Sequence, residues 1–185
     1  MPKRFLFSAL FLGLFSALVA QPQMPAEMPG LKVGERAAAF ELPAAGGGTV
    51  SLAELLEKGS VTLAFVRSAD WCPFCRRQLQ ALEADIAAIQ ATGTQLVAIS
   101  YDSPETNAAA VEKLGLTFPL LSDVGSAVID AYGIRNPEAK GRGVGVPHPV
   151  VFIIDQSGVI RVKLMRDGYK DRPESAEIIA GVKSL

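Results

Sequence analysis

Cysteine and histidine are nearly absent from this chain of 185 residues, which holds two of the first and one of the second. Two cysteines cannot build the dense disulfide framework of a small secreted scaffold, and one histidine leaves few ways to complete a zinc site. An excess of charge is missing too. The formal net charge is −1, and beyond residue 20 there are 16 Lys and Arg against 19 Asp and Glu, a net −3. A nucleic-acid binder needs a basic face to displace counterions, so that class of partner is excluded. No run of carboxylates is long enough for a disordered acidic tail. Internal repeats and low-complexity linkers are also lacking, so one domain is expected.

The mean hydropathy is nevertheless positive, at +0.27, and its source is local. Met1 to Arg4 is cationic, and Phe5 to Ala20 is apolar without a single charge. Small Ala20 precedes Gln21-Pro22, after which the chain turns polar and proline-rich. That layout predicts a signal peptide over residues 1–20, removed after Ala20, and hence a secreted or periplasmic protein. The alternative is an uncleaved anchor. As a helix the apolar run would span only about 24 Å, against a hydrocarbon core of ~30 Å, so membrane contact is expected only through an uncleaved leader. No cysteine follows the run, which excludes a lipid-modified N-terminal cysteine.

Residues 21–32 read as an extended lead-in, and residues 33–185 alternate β-rich runs with helical patterns, the signature of an α/β sheet. Ser51 and Glu54 form a capping box for a helix stopped by Gly59. Val61–Val66 and Leu96–Ser100 read as buried strands. A helix opening at Cys72 carries Leu79, Leu82, Ile86 and Ile89 on one face and ends at Gly93. Ser103 and Pro104 start another, closed by Gly115. Val124–Tyr132 predicts a short helix, followed by a turn-rich stretch from Gly133 to Pro149. Val150–Ile154 and Val159–Met165 predict a hairpin around Asp155–Gly158, and Pro173 starts the last helix.

Both cysteines lie in Trp71-Cys72-Pro73-Phe74-Cys75, between a buried strand and a helix. A zinc site would lack ligands, since only His148 remains as a partner. A structural staple across so short a loop stabilises by only about 2 kcal/mol in the chain-entropy model. Redox chemistry fits better. Unpaired N–H groups and the dipole at a helix N-terminus favour a thiolate at Cys72, which is therefore expected to titrate well below an ordinary thiol. Pro73 suits N1, Arg76 and Arg77 add positive charge, and Cys75 lies one turn on, within reach of a mixed disulfide on Cys72. Trp71 is expected to pack over this helix. Arg67 and Asp70 flank the motif, as solvated loop charges or as supporting groups. Pro149 opens a buried strand, where an X–Pro bond is a candidate for the cis form. With a cis bond, His148 would face Cys72 or an incoming polypeptide; otherwise it is a loop histidine.

These features together resemble the thioredoxin-like superfamily, and within it the redoxin branch of alkyl hydroperoxide reductase/thiol-specific antioxidant proteins, or peroxiredoxins. The resemblance runs from about Val33 to Val182. It is carried by Val33 to Leu42 at the opening, by Leu96–Glu105, Phe118–Asp123 and Ala131–Gly133 in the middle, and by Val151–Gly158 near the end. It implies a thioredoxin-like fold, a central mixed β-sheet flanked by helices, with Cys72 at the nucleophile position and Pro149 at the cis-proline position. The departures are specific. The family's proline and hydroxyl residue before the peroxidatic cysteine are replaced by Phe65 and Ala69, and its strand-start arginine by Pro149. That pocket lacks the donors that stabilise a breaking O–O bond. Cys-Pro-Phe-Cys is similar instead to the dithiol motif of glutaredoxins and thioredoxin-like oxidoreductases. The buried acid that many thioredoxins place below the second cysteine has no counterpart in apolar Ala64 and Val66.

The leading expectation is therefore an extracytoplasmic thiol–disulfide oxidoreductase, with Cys72 as nucleophile and Cys75 as resolving thiol. Its partners would be protein or small-molecule disulfides and a thiol electron donor, with neither cofactor nor metal. Whether it acts as reductant or oxidant depends on its potential. A thiol peroxidase acting on hydroperoxides through the same residues is the second reading. A non-catalytic binding module on a redoxin scaffold is the third.

Overall fold

Strong β-formers dominate the centre of the chain, and they lie where both faces of a sheet are covered. The computed structural model describes residues 28–185; the expected signal peptide and residues 21–27 of the lead-in lie outside the described residues. Two short strands, β1 (Glu41–Pro43) and β2 (Thr49–Ser51), pair antiparallel and lead into helix α1 (Leu52–Lys58). The Ser51–Glu54 capping box forms as expected, with hydroxyl and carboxylate each accepting from the other residue's backbone N–H. Strand β3 (Val61–Phe65) then begins the main sheet.

Two crossovers follow. Helices α2 (Pro73–Ala84) and α3 (Ile86–Gln90) return the chain to β4 (Gln95–Ser100), and α4 (Pro104–Leu114) returns it to β5 (Leu120–Ser122). After α5 (Ala127–Ala131) and the turn-rich segment come β6 (Val150–Ile154), β7 (Ile160–Met165) and α6 (Ser175–Lys183). The sheet order is β5-β4-β3-β6-β7, with β3, β4 and β5 parallel and β6 and β7 antiparallel to their neighbours. This is the central mixed sheet with flanking helices that the resemblance implied.

The period-two alternation of β3 divides the core in two. Val61, Leu63 and Phe65 face one layer with Leu52, Leu55, Ile129 and Tyr132; Ala64 and Val66 face the other with Leu79, Leu82, Ile89 and Ile178. Every residue of β3 is buried, as expected for a strand covered on both sides. The helix expected to run unbroken from Cys72 to Gly93 is interrupted at Asp85, whose ψ of 10° closes α2 before α3 begins. Leu82 and Ile89, on either side of the interruption, still pack in the same core layer. Helix α4 behaves as expected: Ser103 caps it, and Gly115 ends it at φ 66°, a left-handed conformation that suits glycine.

Among the described residues no helix is long and apolar enough to cross a membrane. One buried polar side chain fastens the second crossover. Asn107 on α4 donates to the Leu121 carbonyl (3.2 Å) and to Ser122 Oγ (2.8 Å), and its Oδ1 accepts from Ser100 Oγ (2.9 Å). Removing it strands groups on β4 and β5 away from water. Asn107→Ala should therefore lower the unfolding free energy by about 3 kcal/mol in denaturant titration.

Candidate active site

The parallel arrangement of β3 and β4 sends both chains out of the sheet at the same edge, and the cysteine motif is built there. Beyond β3 the chain turns through residues 66–71 and enters α2 at Cys72, the N-cap. That turn is held from β4. The carboxylate of Asp102 accepts from the Ala69 N–H (2.9 Å) and from Ser100 Oγ (3.1 Å). Ser68 Oγ accepts in turn from the Asp70 and Trp71 amides at 3.1 and 3.2 Å. Burial pushes the Asp102 carboxyl above its ordinary range, opposed by the hydrogen bonds from Ala69, Ser68 and Ser100.

Cys72 and Cys75 are both free thiols, 1% and 0% exposed. Pro73 takes N1, where a missing N–H costs no helical hydrogen bond. The Cys75 amide donates to Cys72 Sγ at 3.3 Å, and the two thiols are hydrogen-bonded to each other. Cys72 lines a cleft of about 480 Å³ with Arg67, Trp71, Phe74, Arg142 and Tyr169; Cys75 lies behind it. Arg67 lies over the rings of Trp71 (5.2 Å) and Tyr169 (4.6 Å), and Arg142 also lies over the Trp71 ring at 4.9 Å. Trp71 is anchored through its indole N–H to the Tyr101 hydroxyl (3.0 Å).

The structure distributes the charge of the pair differently from the sequence expectation. The hydrogen bond from Cys72, the Ser68 amide and the guanidinium of Arg172 bring the Cys75 thiol down to about 6. Cys72 is pushed up by its hydrogen bond to Cys75, by burial and by the adjacent negative charge. The two sulfurs titrate as one unit, losing a first proton readily and a second with difficulty. Arg76 and Arg77 do not supply the positive charge: Arg76 donates to the Asp70 carbonyl (2.6 Å), and Arg77 lies over the Phe74 ring at 5.0 Å. Arg172 does, with Nη2 3.5 Å from Cys75 Sγ.

The cis-proline expectation is corrected as well. Among the described residues no peptide bond is cis, so the His148–Pro149 bond is trans. The reason lies upstream: the Asn136 amide donates to the Val146 carbonyl and the His148 amide to that of Ile134 (2.9 and 2.7 Å). This antiparallel pairing delivers the chain already extended into β6 at Val150. His148 is half-buried with its titration lowered by burial, and it does not line the Cys72 cleft. The sequence reading also missed Arg172, Tyr169 and Tyr101, and gave Asp102 no role. Asp102 alone left a usable signal, a carboxylate at the exit of the strand paired with β3.

Among the described residues no group of three or more His, Cys, Asp and Glu side chains is placed to hold a metal ion. Residues 33–163 match the family model described as the AhpC/TSA family. The chain is 33% identical over 142 residues to the thiol-disulfide oxidoreductase ResA of Halalkalibacterium halodurans, covering 76% of this chain and 72% of ResA. It is 30% identical over 134 residues to the peroxiredoxin Bcp of Escherichia coli K12, covering 72% of this chain and 85% of Bcp. In fold it is similar to the peroxidoxin BcpB of Mycobacterium tuberculosis, with a TM-score of 0.74 at 24% identity over 84% of this chain and 98% of that one.

The titration of the pair has a consequence for stability. The Cys75 pKa is depressed on folding, so the folded reduced protein binds fewer protons than the unfolded chain between about pH 6 and the ordinary thiol value of 9.0. Its stability should therefore rise with pH across that window and fall as pH drops back through about 6. In Cys75→Ser that rise should be lost, as read from denaturant midpoints at a series of pH values.

Proposed function

The chain belongs to the AhpC/TSA family, and from that premise we propose that it is an extracytoplasmic thiol–disulfide oxidoreductase, with Cys72 the attacking thiol and Cys75 the resolving one. One observation carries the reading. Two hydrogen-bonded thiols stand at the start of one helix, and of the two only Cys72 lines the cleft. The extracytoplasmic assignment is supported by the cationic and apolar pattern of residues 1–20.

The chemistry follows from how the pair shares its proton. One proton is shared by the pair, drawn toward Cys72 because Arg172 and the Ser68 amide draw the negative charge toward Cys75. Its transfer across the sulfur–sulfur hydrogen bond makes Cys72 the thiolate, with the Cys75 amide donating to it. Cys72 then attacks one sulfur of a substrate disulfide; a new S–S bond forms, the substrate's breaks, and the departing thiolate takes a proton from water. Cys75 next loses its proton, attacks Cys72 Sγ and releases the second substrate thiol, which takes up that proton. The substrate disulfide ends as two thiols and the pair as one disulfide, which a thiol donor then reduces. Run backwards, the same steps oxidise substrate thiols.

A second reading, hydroperoxide reduction, draws support from the similarity to Bcp. In it Cys72 thiolate attacks the peroxide oxygen, an alcohol or water departs, and Cys75 condenses with the resulting sulfenic acid to release water. The residues at the family's proline and hydroxyl positions work against it. Phe65 is packed in the core, and Ala69 offers no side-chain donor, while its amide is committed to Asp102.

Two measurements test the ranking. With a thiol donor and a protein disulfide as substrate, Cys72→Ser should reduce turnover by about a thousandfold or more, and Cys75→Ser should accumulate a mixed disulfide on Cys72. Rapid stopped-flow consumption of peroxide that depends on Cys72, with slow disulfide exchange, would reverse the order of the two readings.

A further inference from the structure

We propose that Arg172 is the counter-ion of the reduced dithiol, holding Cys75 as a thiolate and so setting how readily the oxidised pair accepts electrons. The inference rests on the disulfide-exchange reading above and goes beyond it to the residue that biases its direction.

The guanidinium is held by its own stretch of chain. Arg172 lies on the segment between β7 and α6, 97 residues from Cys75 in sequence. Its Nη1 donates to the Asp171 carbonyl (3.0 Å) and to that of Tyr169, which leaves Nη2 directed at Cys75 Sγ, 3.5 Å away. Buried Pro173 follows directly and restricts the backbone of residue 172 to extended conformations. The head group is thus fixed by its own segment and is not free to follow the sulfur. A cation partly withdrawn from water is stabilised by a nearby anion. The ion pairs of the described residues join Arg135, Arg161 and Arg166 to carboxylates and leave Arg172 out. The anion placed to answer it is the Cys75 thiolate.

Competing groups around that sulfur are already committed. Cys75 is faced by the Cys72 thiol, the Ser68 amide and Arg172. Arg76 is turned to the Asp70 carbonyl, Arg77 to the Phe74 ring, and Asp102 to the Ala69 amide. Glu174 is occupied in the capping box of α6.

The redox consequence follows from counting protons. Reducing the disulfide takes two electrons from a donor dithiol, which becomes a disulfide and gives up two protons. One proton stays on Cys72 and the other leaves to solvent, because Cys75 remains a thiolate against Arg172. Oxidation removes that thiolate and leaves the guanidinium without its anion. Arg172 therefore stabilises the reduced state alone and makes the pair a stronger oxidant.

The test is the equilibrium of the full chain with glutathione across a pH series, comparing wild type with Arg172→Met, Arg172→Gln and Arg172→Lys. In wild type the dependence should change from two protons per two electrons to one at the pH where Cys75 ionises. Arg172→Met should move that change upward and shift the equilibrium at neutral pH severalfold toward the disulfide, up to about tenfold or about 30 mV. Arg172→Lys should restore most of both. A folded Arg172→Met with an unmoved change and an unaltered equilibrium constant overturns the proposal, since a purely structural role would lower stability without moving either. If Arg172→Met fails to fold, Arg172→Gln decides by the same two readouts. Absence of any Cys72–Cys75 disulfide in wild type would instead sink the exchange reading itself.

Discussion

Removing a sulfur from water raises the cost of charging it, and here two sulfurs are removed together. Both cysteines are sealed to within 1% of full burial, and they stand close enough to exchange a proton. A second negative charge beside the first would have little solvent to screen it, so the pair carries one charge and one proton between them. Much of the surrounding architecture follows from that limit. The start of α2 supplies an amide to Cys72, the turn before it supplies the Ser68 amide to Cys75, and a segment from the far end of the chain supplies a cation. None of these donors would be needed around two thiols open to water.

Such a site is only as well defined as the turn that leads into it. Residues 66–71 have no regular ladder of their own, and the amides of Ala69, Asp70 and Trp71 are met by two side chains, Ser68 from within and Asp102 from the end of β4. Asp102 is positioned because β3 and β4 run parallel and end together, with Phe65 paired to Ile99. Asn107 ties the following crossover to the same strand through Ser100, which also donates to Asp102. A continuous set of hydrogen bonds therefore links the second crossover to the cysteine-bearing turn. Disturbing Asn107 strains the frame of the site without touching a sulfur.

How much of this can be read from sequence depends on the range of the interaction. The capping box at Ser51, the cap and stop of α4 at Ser103 and Gly115, and the hairpin around Asp155–Gly158 are local, and all form where their residue types place them. The pair at Cys72 and Cys75 was visible because two cysteines three apart at a strand–helix junction have a short-range chemical meaning. The conformation before Pro149 was misjudged because a remote pairing, Ile134 with His148, extends the chain there. The break at Asp85 was missed because the apolar spacing continues through it while the backbone does not. Arg172 was invisible for a plainer reason: nothing in an arginine's neighbours along the chain announces a thiol 97 residues away.

The segment joining β7 to α6 does more than carry Arg172. Tyr169 on the same segment stands edge-on to Phe74 at 5.9 Å and lies over Arg67, so one stretch of chain borders both the cleft of Cys72 and the rear of Cys75. A disulfide must align three sulfur atoms to react, and a protein disulfide brings bulky polypeptide with it. A small oxidant needs far less room. With both sulfurs sealed and their border built from one stretch of chain, the room at the sulfur bears more heavily on a protein disulfide than on a small oxidant. The same few residues that shape the charge of the pair therefore also set the space in which a reactant must be aligned with it.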